Sequence, residues 1–492
     1  MFFYVLGALA VLLFVYSFFS KNSNFGKNKN VIYETGTLWE FMKGNISLAE
    51  VLKKVYDNHP DEPYVGIYLG AQPALLLRDL RNVEVVLKSE FQNFHDRGVF
   101  TNPNDRLADN ILFMDNYPRW KLLRQKLSPL FKSASIKQMA YVIEICARDF
   151  VEKLKQLPEM REKCFNSVYL YSTASIGASA FGIDVHDGST MDSPFKNMVW
   201  KILKPSFWTN IKFAITSFSP YLALLLNLKI FGEFESFFFG IMKKVLTLRR
   251  RNNDKRNDFM DMCMELQKAG VMRDSVTGYK IEPTDEVLAA QAFMLFLAGT
   301  DTSATALHFA LLELSFNPDI LSKVHKEIDK VFDECNNKVT YSDVEKLTFM
   351  DQVINEAMRK YPPIGVLQRK CTKDTVLPVG NIKVEKDVMV IIPVYAIQRD
   401  EENYQDADKF DPDRFSPERM SEIKKSSYLP FGDGNRSCLG IKVARIQVKL
   451  GMAWLLREFT LPAQKCTEMR FEKSPFAVRA PDANYILLKR NK

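Results

Sequence analysis

The order of apolar and polar positions divides the chain into long helical stretches with short strands near its two ends. Met1 to Ser20 carries no charged residue, and twenty helical residues reach about 30 Å, enough to cross a bilayer core. Lys21, Lys27 and Lys29 follow and would hold that flank on the cytosolic side. The run has no basic leading segment and no small-x-small cleavage site before Lys21. It therefore reads as an uncleaved anchor over 1–20 rather than a removed signal peptide, with a linker over 21–37 and one globular domain over 38–492. Leu48 to Tyr56 repeats as an amphipathic helix. Tyr64–Leu69 and Ala74–Leu77 flank Gly70-Ala71-Gln72 and predict a β-hairpin.

Further along, Pro205 to Lys244 is apolar and aromatic, but Pro220, Asn227 and interleaved lysines break every window long enough to span a membrane. It reads as two helices and a connector dipping into a membrane interface, with a plain buried helical pair as the alternative. Thr284 to Phe316 predicts the longest helix of the domain, about 48 Å, with Asp285 and Glu286 at its positive end and Pro318 beyond its close. Met350 to Lys360 is helical up to Pro362-Pro363, and Ile441 to Leu455 is helical again. Thr375–Val379, Ile382–Glu385 and Val388–Ile392 alternate as strands. Phe471–Arg479 and Tyr485–Lys489 predict a C-terminal hairpin. The fold class is mainly α with small β-sheets.

Length alone, 492 residues, suggests about three domains, yet no repeat, low-complexity block or Pro/Gly/Ser linker divides the chain. The 37 phenylalanines against five tryptophans point to an apolar interior or cavity. Net charge is +8, with no dominant basic patch, so nucleic acid is excluded as a partner; an anionic lipid surface or an acidic protein suits this balance better. Seven scattered cysteines without a CxxC pair suggest neither a zinc site nor a disulfide framework, and place the body in a reducing compartment.

Pro430-Phe431-Gly432-Asp433-Gly434-Asn435-Arg436-Ser437-Cys438-Leu439-Gly440 concentrates the chemistry. Its glycines permit a tight loop. Cys438 stands just before a helix, where the dipole and Arg436 are expected to lower its thiol pKa. A single thiolate on a glycine-lined loop with room for a flat ligand suits haem iron; alone, a Gly-Cys pair would more often be a buried structural cysteine.

Other signals are weak in isolation. Ala298-Gly299-Thr300-Asp301-Thr302-Ser303 interrupts an apolar helix with an acid and hydroxyls, which could relay protons or mark a flawed core helix. Trp120 and Arg124, at i and i+4, offer donors without acceptors to an anion, or belong to an amphipathic surface helix. Glu356 and Arg359 form an i, i+3 pair of a common surface kind. His95 suggests an ordinary polar contact rather than a base. Val366-Leu367 and Ala477-Val478 line a pocket or belong to the core.

Phe431 to Gly440 resembles the haem-binding signature of the cytochrome P450 family at every fixed position, and the other strings fall in order around it. Ala298–Ser303 resembles the family's oxygen-activation motif, with Thr300 in place of a common aromatic residue and Asp301 where insect relatives mostly have glutamate. Glu356-x-x-Arg359 and Pro412-Asp413-Arg414-Phe415 resemble two further elements. The resemblance covers Tyr64 to Lys489 and is nearest to insect microsomal members that metabolise foreign compounds. It departs from them in having no proline-rich hinge after the anchor, the first proline being Pro60.

The resemblance implies a membrane-bound monooxygenase holding haem b. Cys438 would be the axial iron ligand, with Phe431 packed beside it. Arg436, Trp120, Arg124, Arg369 and Arg97 would hold the haem propionates, and Thr302 with Asp301 would manage protons on the distal face. Glu356, Arg359 and Arg414 would fix the cysteine loop. O2 would be split over a hydrophobic substrate, with electrons from an NADPH-dependent flavoprotein reductase docking near Lys442 and Arg445, and with cytochrome b5 as a further partner. The setting would be the cytosolic face of the endoplasmic reticulum membrane. A haem-thiolate isomerase or dehydratase, or a non-catalytic haem sensor, would share the loop without needing the Asp301-Thr302 pair.

Overall fold

The computed structural model describes residues 31–491 apart from 35–39, 42, 44–45, 70–71, 183–189, 204–206, 254 and 466–468. The anchor over 1–20, most of the linker and Cys466 lie outside the described residues. The helices that position the site are α1 (Leu48–Asn58), α2 (Tyr117–Leu127), α3 (Ser133–Gln156), α4 (Cys164–Phe181), α5 (Glu235–Asn252), α6 (Asp285–Phe316), α7 (Pro318–Glu334), α8 (Thr348–Lys360) and α9 (Ile441–Glu458). The main sheet has five strands: β1 (Tyr33–Glu34), β2 (Tyr64–Leu69), β3 (Gln72–Leu77), β4 (Leu367–Lys370) and β5 (Met389–Ile392), in the order β1-β2-β3-β5-β4.

The hairpin expected around 70–72 forms, with Tyr64 opposite Leu77 and Leu69 opposite Gln72. β3 then joins β5 in parallel across three hundred residues of chain. This pairing ties the N-terminal sheet to the segment leading toward Cys438.

α6 runs through the middle of the helical body. Thr284 caps it, its hydroxyl accepting from the Val287 backbone N–H. Most of Leu288 to Ser315 is buried, as an apolar helix at the centre of a fold must be. It packs most extensively along α4, with α5, α8 and α9 around it. Among the described residues it is also the one helix long and apolar enough to cross a membrane by length and composition. Its burial within the protein accounts for that composition here.

Two expectations need correction. Phe471–Arg479 and Tyr485–Lys489 do not pair as a hairpin. Leu488–Lys489 instead pairs antiparallel with Phe459–Thr460, while the 471–479 segment folds on itself, the Glu472 N–H donating to the Arg479 carbonyl at 2.7 Å. A neighbour after α9 supplied the edge, which no local pattern announces. Second, the 205–244 stretch forms more pieces than two helices and a connector. Phe207–Phe218 and Pro220–Leu225 are separate helices, a short turn covers Gly232–Phe234, and α5 follows. Pro220 starts a new helix because it cannot continue the old one.

Candidate active site

The cysteine loop is built by its glycines and closed by its own backbone. Gly432 and Gly434 take φ of +66° and +68°, in the left-handed region that side chains resist. At Gly434 a Cβ would stand 1.9 Å from the Leu87 carbonyl oxygen, so the position admits only glycine. The Cys438 N–H donates to the Phe431 carbonyl at 2.8 Å and turns the thiol inward.

Cys438 forms part of the wall of an interior cavity with about 1630 Å³ of free space, the open mouth included. The residue is exposed by area, but its surface opens on this cavity and the sulfur is enclosed by protein. Burial therefore pushes the thiol up, against the Gly440 N–H and the nearby Arg124 and Arg97, which pull it down. The expectation of a thiol lowered by its surroundings is thus corrected: desolvation outweighs the Gly440 N–H and the two guanidinium groups.

Besides Arg445, four guanidinium groups border the same cavity: Arg97, Arg124, Arg369 and Arg436. Arg97 donates to the Arg436 carbonyl at 3.1 Å and Arg124 to the Ser437 carbonyl at 2.8 Å. Arg436 donates to the Met114 carbonyl at 2.8 Å and lies 4.4 Å over the Trp120 ring. Among the described residues none of the four makes an ion pair within 4.0 Å, and Asp96 is the carboxylate that acts on Arg369 and Arg436. Burial and mutual repulsion push Arg369 down to about 9 and Arg436 to about 8. The Nε atoms of Arg97, Arg369 and Arg436 and the Trp120 indole nitrogen are buried without a hydrogen-bond partner. Unpaired donors and concentrated positive charge call for an anionic ligand. Together with a thiol on the wall of a roomy cavity, these residues fit haem, whose propionates are anions.

The opposite wall is α6, which presents Ala298, Gly299, Thr302, Ser303 and Ala306. Thr302 donates its hydroxyl to the Ala298 carbonyl at 2.6 Å. Asp301 departs from expectation. It is absent from the cavity wall, its carboxylate accepting from the Tyr169 hydroxyl and lying 3.6 Å from Arg479. Successive helical residues point about 100° apart, so its neighbour Thr302 takes the cavity side.

The supporting cluster forms as expected. Arg359 donates to Glu356 from Nε at 2.7 Å and from a terminal nitrogen at 2.9 Å, and Arg414 approaches Glu356 at 3.4 Å. Arg359 also donates to the Gln398 carbonyl at 2.8 Å, and the Gln398 side chain accepts from the Leu429 N–H at 2.7 Å. The buried charges thereby reach the start of the cysteine loop.

Other expectations are resolved individually. His95 makes an ordinary contact, 2.9 Å from the Gln92 carbonyl. Leu367 borders the cavity, whereas Val366, Ala477 and Val478 are buried core. Arg445 is turned inward onto Asn355 at 2.9 Å and over the Phe431 ring. Lys442 is exposed. The six described cysteines are free. Sequence reasoning missed Tyr169 and Arg479, which come from segments with no motif around them.

Comparison with known proteins agrees with this geometry. The family model described as Cytochrome P450 matches residues 28–488. The chain is 34% identical to "Probable cytochrome P450 6a21" of Drosophila melanogaster, across 87% of this chain and 86% of the relative. It is 30% identical to cytochrome P450 6B7 of Helicoverpa armigera, across 96% and 94%. It is 32% identical to cytochrome P450 6j1 of Blattella germanica, across 97% and 96%.

Proposed function

The chain belongs to the cytochrome P450 family, and from that premise we propose that it is a membrane-bound haem-thiolate monooxygenase acting on hydrophobic small molecules. One observation carries the reading: Cys438, Arg124 and three arginines with an unpartnered Nε, Arg97, Arg369 and Arg436, share a cavity whose facing wall is apolar except for hydroxyls. Haem, when bound, supplies the one-electron and O2 chemistry. Cys438 would hold the iron, while Arg97, Arg124, Arg369, Arg436 and Trp120 would hold the propionates.

The chain's own residues do the rest. Met294, Leu295, Ile176 and Leu367 border the cavity with apolar surface, which binds a hydrophobic substrate and excludes water. Thr302 holds a hydroxyl at the cavity, its proton directed to the Ala298 carbonyl until another acceptor competes. Glu356, Arg359 and Arg414 keep the cysteine loop in place.

Electrons would come from an NADPH-dependent flavoprotein reductase, with cytochrome b5 as a further donor; exposed Lys442 is the better docking candidate, because Arg445 is engaged inward. The setting would be the cytosolic face of the endoplasmic reticulum, anchored by residues 1–20. Trp208, Tyr221 and Leu225 are each about 70% exposed, which supports an interfacial contact over 205–244.

The deciding experiment is the carbon monoxide difference spectrum of the reduced, membrane-expressed protein beside Cys438→Ala. A strongly red-shifted Soret band in the parent only is expected. An imidazole-type spectrum, or folded parent protein without haem, would overturn the proposal.

A further inference from the structure

From the cavity wall, Arg436 leads to a short ladder of rings that the site above does not use. Its guanidinium lies 4.4 Å over Trp120. Trp120 and Tyr117, three residues apart on α2, are neighbours on one helix face. Their rings stack with centroids 5.8 Å apart and planes at 27°. Tyr117 in turn meets the His95 ring, centroid to centroid 5.1 Å. Phe91 packs on both Trp120 and Tyr117, at 5.7 Å and 6.0 Å. Trp120 is buried, whereas Tyr117 and His95 are half-buried. The rings therefore step from the cavity wall toward solvent.

Indole and phenol give up single electrons far more readily than phenylalanine or a guanidinium does. An indole that loses an electron becomes a cation, and the Arg436 charge over Trp120 opposes that state. A phenol can lose its proton with the electron and end neutral, provided the proton has somewhere to go. Tyr117 meets this condition. Its oxygen accepts from the Gln92 side-chain amide at 3.2 Å, and Gln92 is exposed. The hydroxyl hydrogen is thereby left to point to water. Two other tyrosines near the site do not meet it. Tyr171 donates to the carbonyl of Gln447, a cavity residue, at 2.7 Å, and Tyr169 donates to Asp301. Both are buried, and burial pushes both phenols up. An electron vacancy reaching Trp120 thus moves outward to Tyr117 and stays there.

We propose that Trp120 and Tyr117 form a one-electron path from the haem site to the surface, where Tyr117 oxidises small phenolic or enediol reductants. Hydrogen peroxide is the oxidant, acting at the haem when no substrate is held. Trp120 gives one electron to the oxidised site and takes one from Tyr117. Tyr117 releases its hydroxyl proton to water and is left a neutral radical. The reductant then returns one electron and one proton to Tyr117. Two such rounds reduce one hydrogen peroxide to two waters and remove one hydrogen atom from each of two reductant molecules. The inference rests on the haem-thiolate reading.

The test uses the full-length, haem-loaded protein in phospholipid vesicles, mixed with hydrogen peroxide without substrate or reductase and rapidly frozen. Electron paramagnetic resonance of the parent should show a neutral tyrosine radical, narrowed when the tyrosines carry ring deuterium. Tyr117→Phe keeps the ring stack and should reduce that signal several-fold, and Trp120→Phe should do the same. In unfrozen samples, Tyr117→Phe should also bleach its Soret band faster and oxidise several-fold less ascorbate per peroxide. A nitroso spin trap followed by peptide mass spectrometry should mark Tyr117 in the parent. A tyrosine signal equal in parent and Tyr117→Phe, or a parent without any protein radical, would overturn the inference. The carbon monoxide spectrum, taken on every sample, separates the two levels. A parent without the red-shifted band defeats the haem-thiolate reading itself, whereas intact spectra with an unmoved radical signal defeat only the one-electron path. Should Trp120→Phe lose its haem, Tyr117→Phe decides the outcome.

Discussion

Glu356 shows how much a single side chain can hold. Its carboxylate faces Arg359 and Arg414 with no exposed surface of its own, and the two arginines are 0% and 6% exposed. Glu356→Gln keeps the shape but strands two buried cations. A loss of about 3–5 kcal/mol is expected, read as a lower urea midpoint and a smaller haem-loaded fraction. His308 makes the opposite kind of contribution. Burial pushes its imidazole from an ordinary 6.5 down to about 4, so it is neutral when folded and gains a proton on unfolding. Its contribution is therefore intact above pH 6.5 and lost as pH falls from there through about 4, by about 2 kcal/mol at pH 5. His325 is pushed to about 4 as well, by burial and then Arg490, so the effect is isolated by comparison. His308→Phe, placed among Phe165, Phe309 and Tyr485, should lose less stability than the parent between pH 7 and pH 5.

At the scale of elements, the glycine loop is the part least able to change. Gly434→Ala would meet the Leu87 carbonyl and a positive φ together, so the loop must retreat from the 85–89 turn. The φ penalty alone is about 1–2 kcal/mol, and the backbone overlap adds to it. Purified Gly434→Ala should carry far less haem per chain than the parent, by absorbance against protein concentration. This loop was legible in advance because its chemistry is local: Phe431, Arg436 and Cys438 fall within eight residues and their spacing is the signal. The long helix was legible too, from its caps and its unbroken apolar run. The surroundings of Asp301 were not. Tyr169 lies 132 residues before it, Arg479 lies far beyond it, and neither sits in a pattern that differs from ordinary core or strand. The final strand pairing failed to show for the same reason, since Phe459–Thr460 is a two-residue edge with no period to detect.

For the whole molecule, the exposed apolar side chains Trp208, Tyr221 and Leu225 make a prediction independent of the N-terminal run. Protein lacking residues 1–29 should still sediment with anionic phospholipid vesicles. Combined Trp208→Ser, Tyr221→Ser and Leu225→Ser should reduce that fraction several-fold while leaving the carbon monoxide spectrum unchanged. Equal sedimentation of both forms would place the contact elsewhere.

The position of α6 in the chain also has a consequence for how the protein is made. Its most extensive partner, α4, precedes it, but α9 begins 125 residues after its end, from Phe316 to Ile441. At about 5–20 residues per second, roughly 6–25 s pass on the ribosome between the two. Throughout that interval a helix with the length and composition of a membrane span has one side uncovered. On the proposed membrane-bound reading, the nascent chain would offer the insertion machinery a decoy segment, and α4 would have to shelter α6 before the last helix arrives.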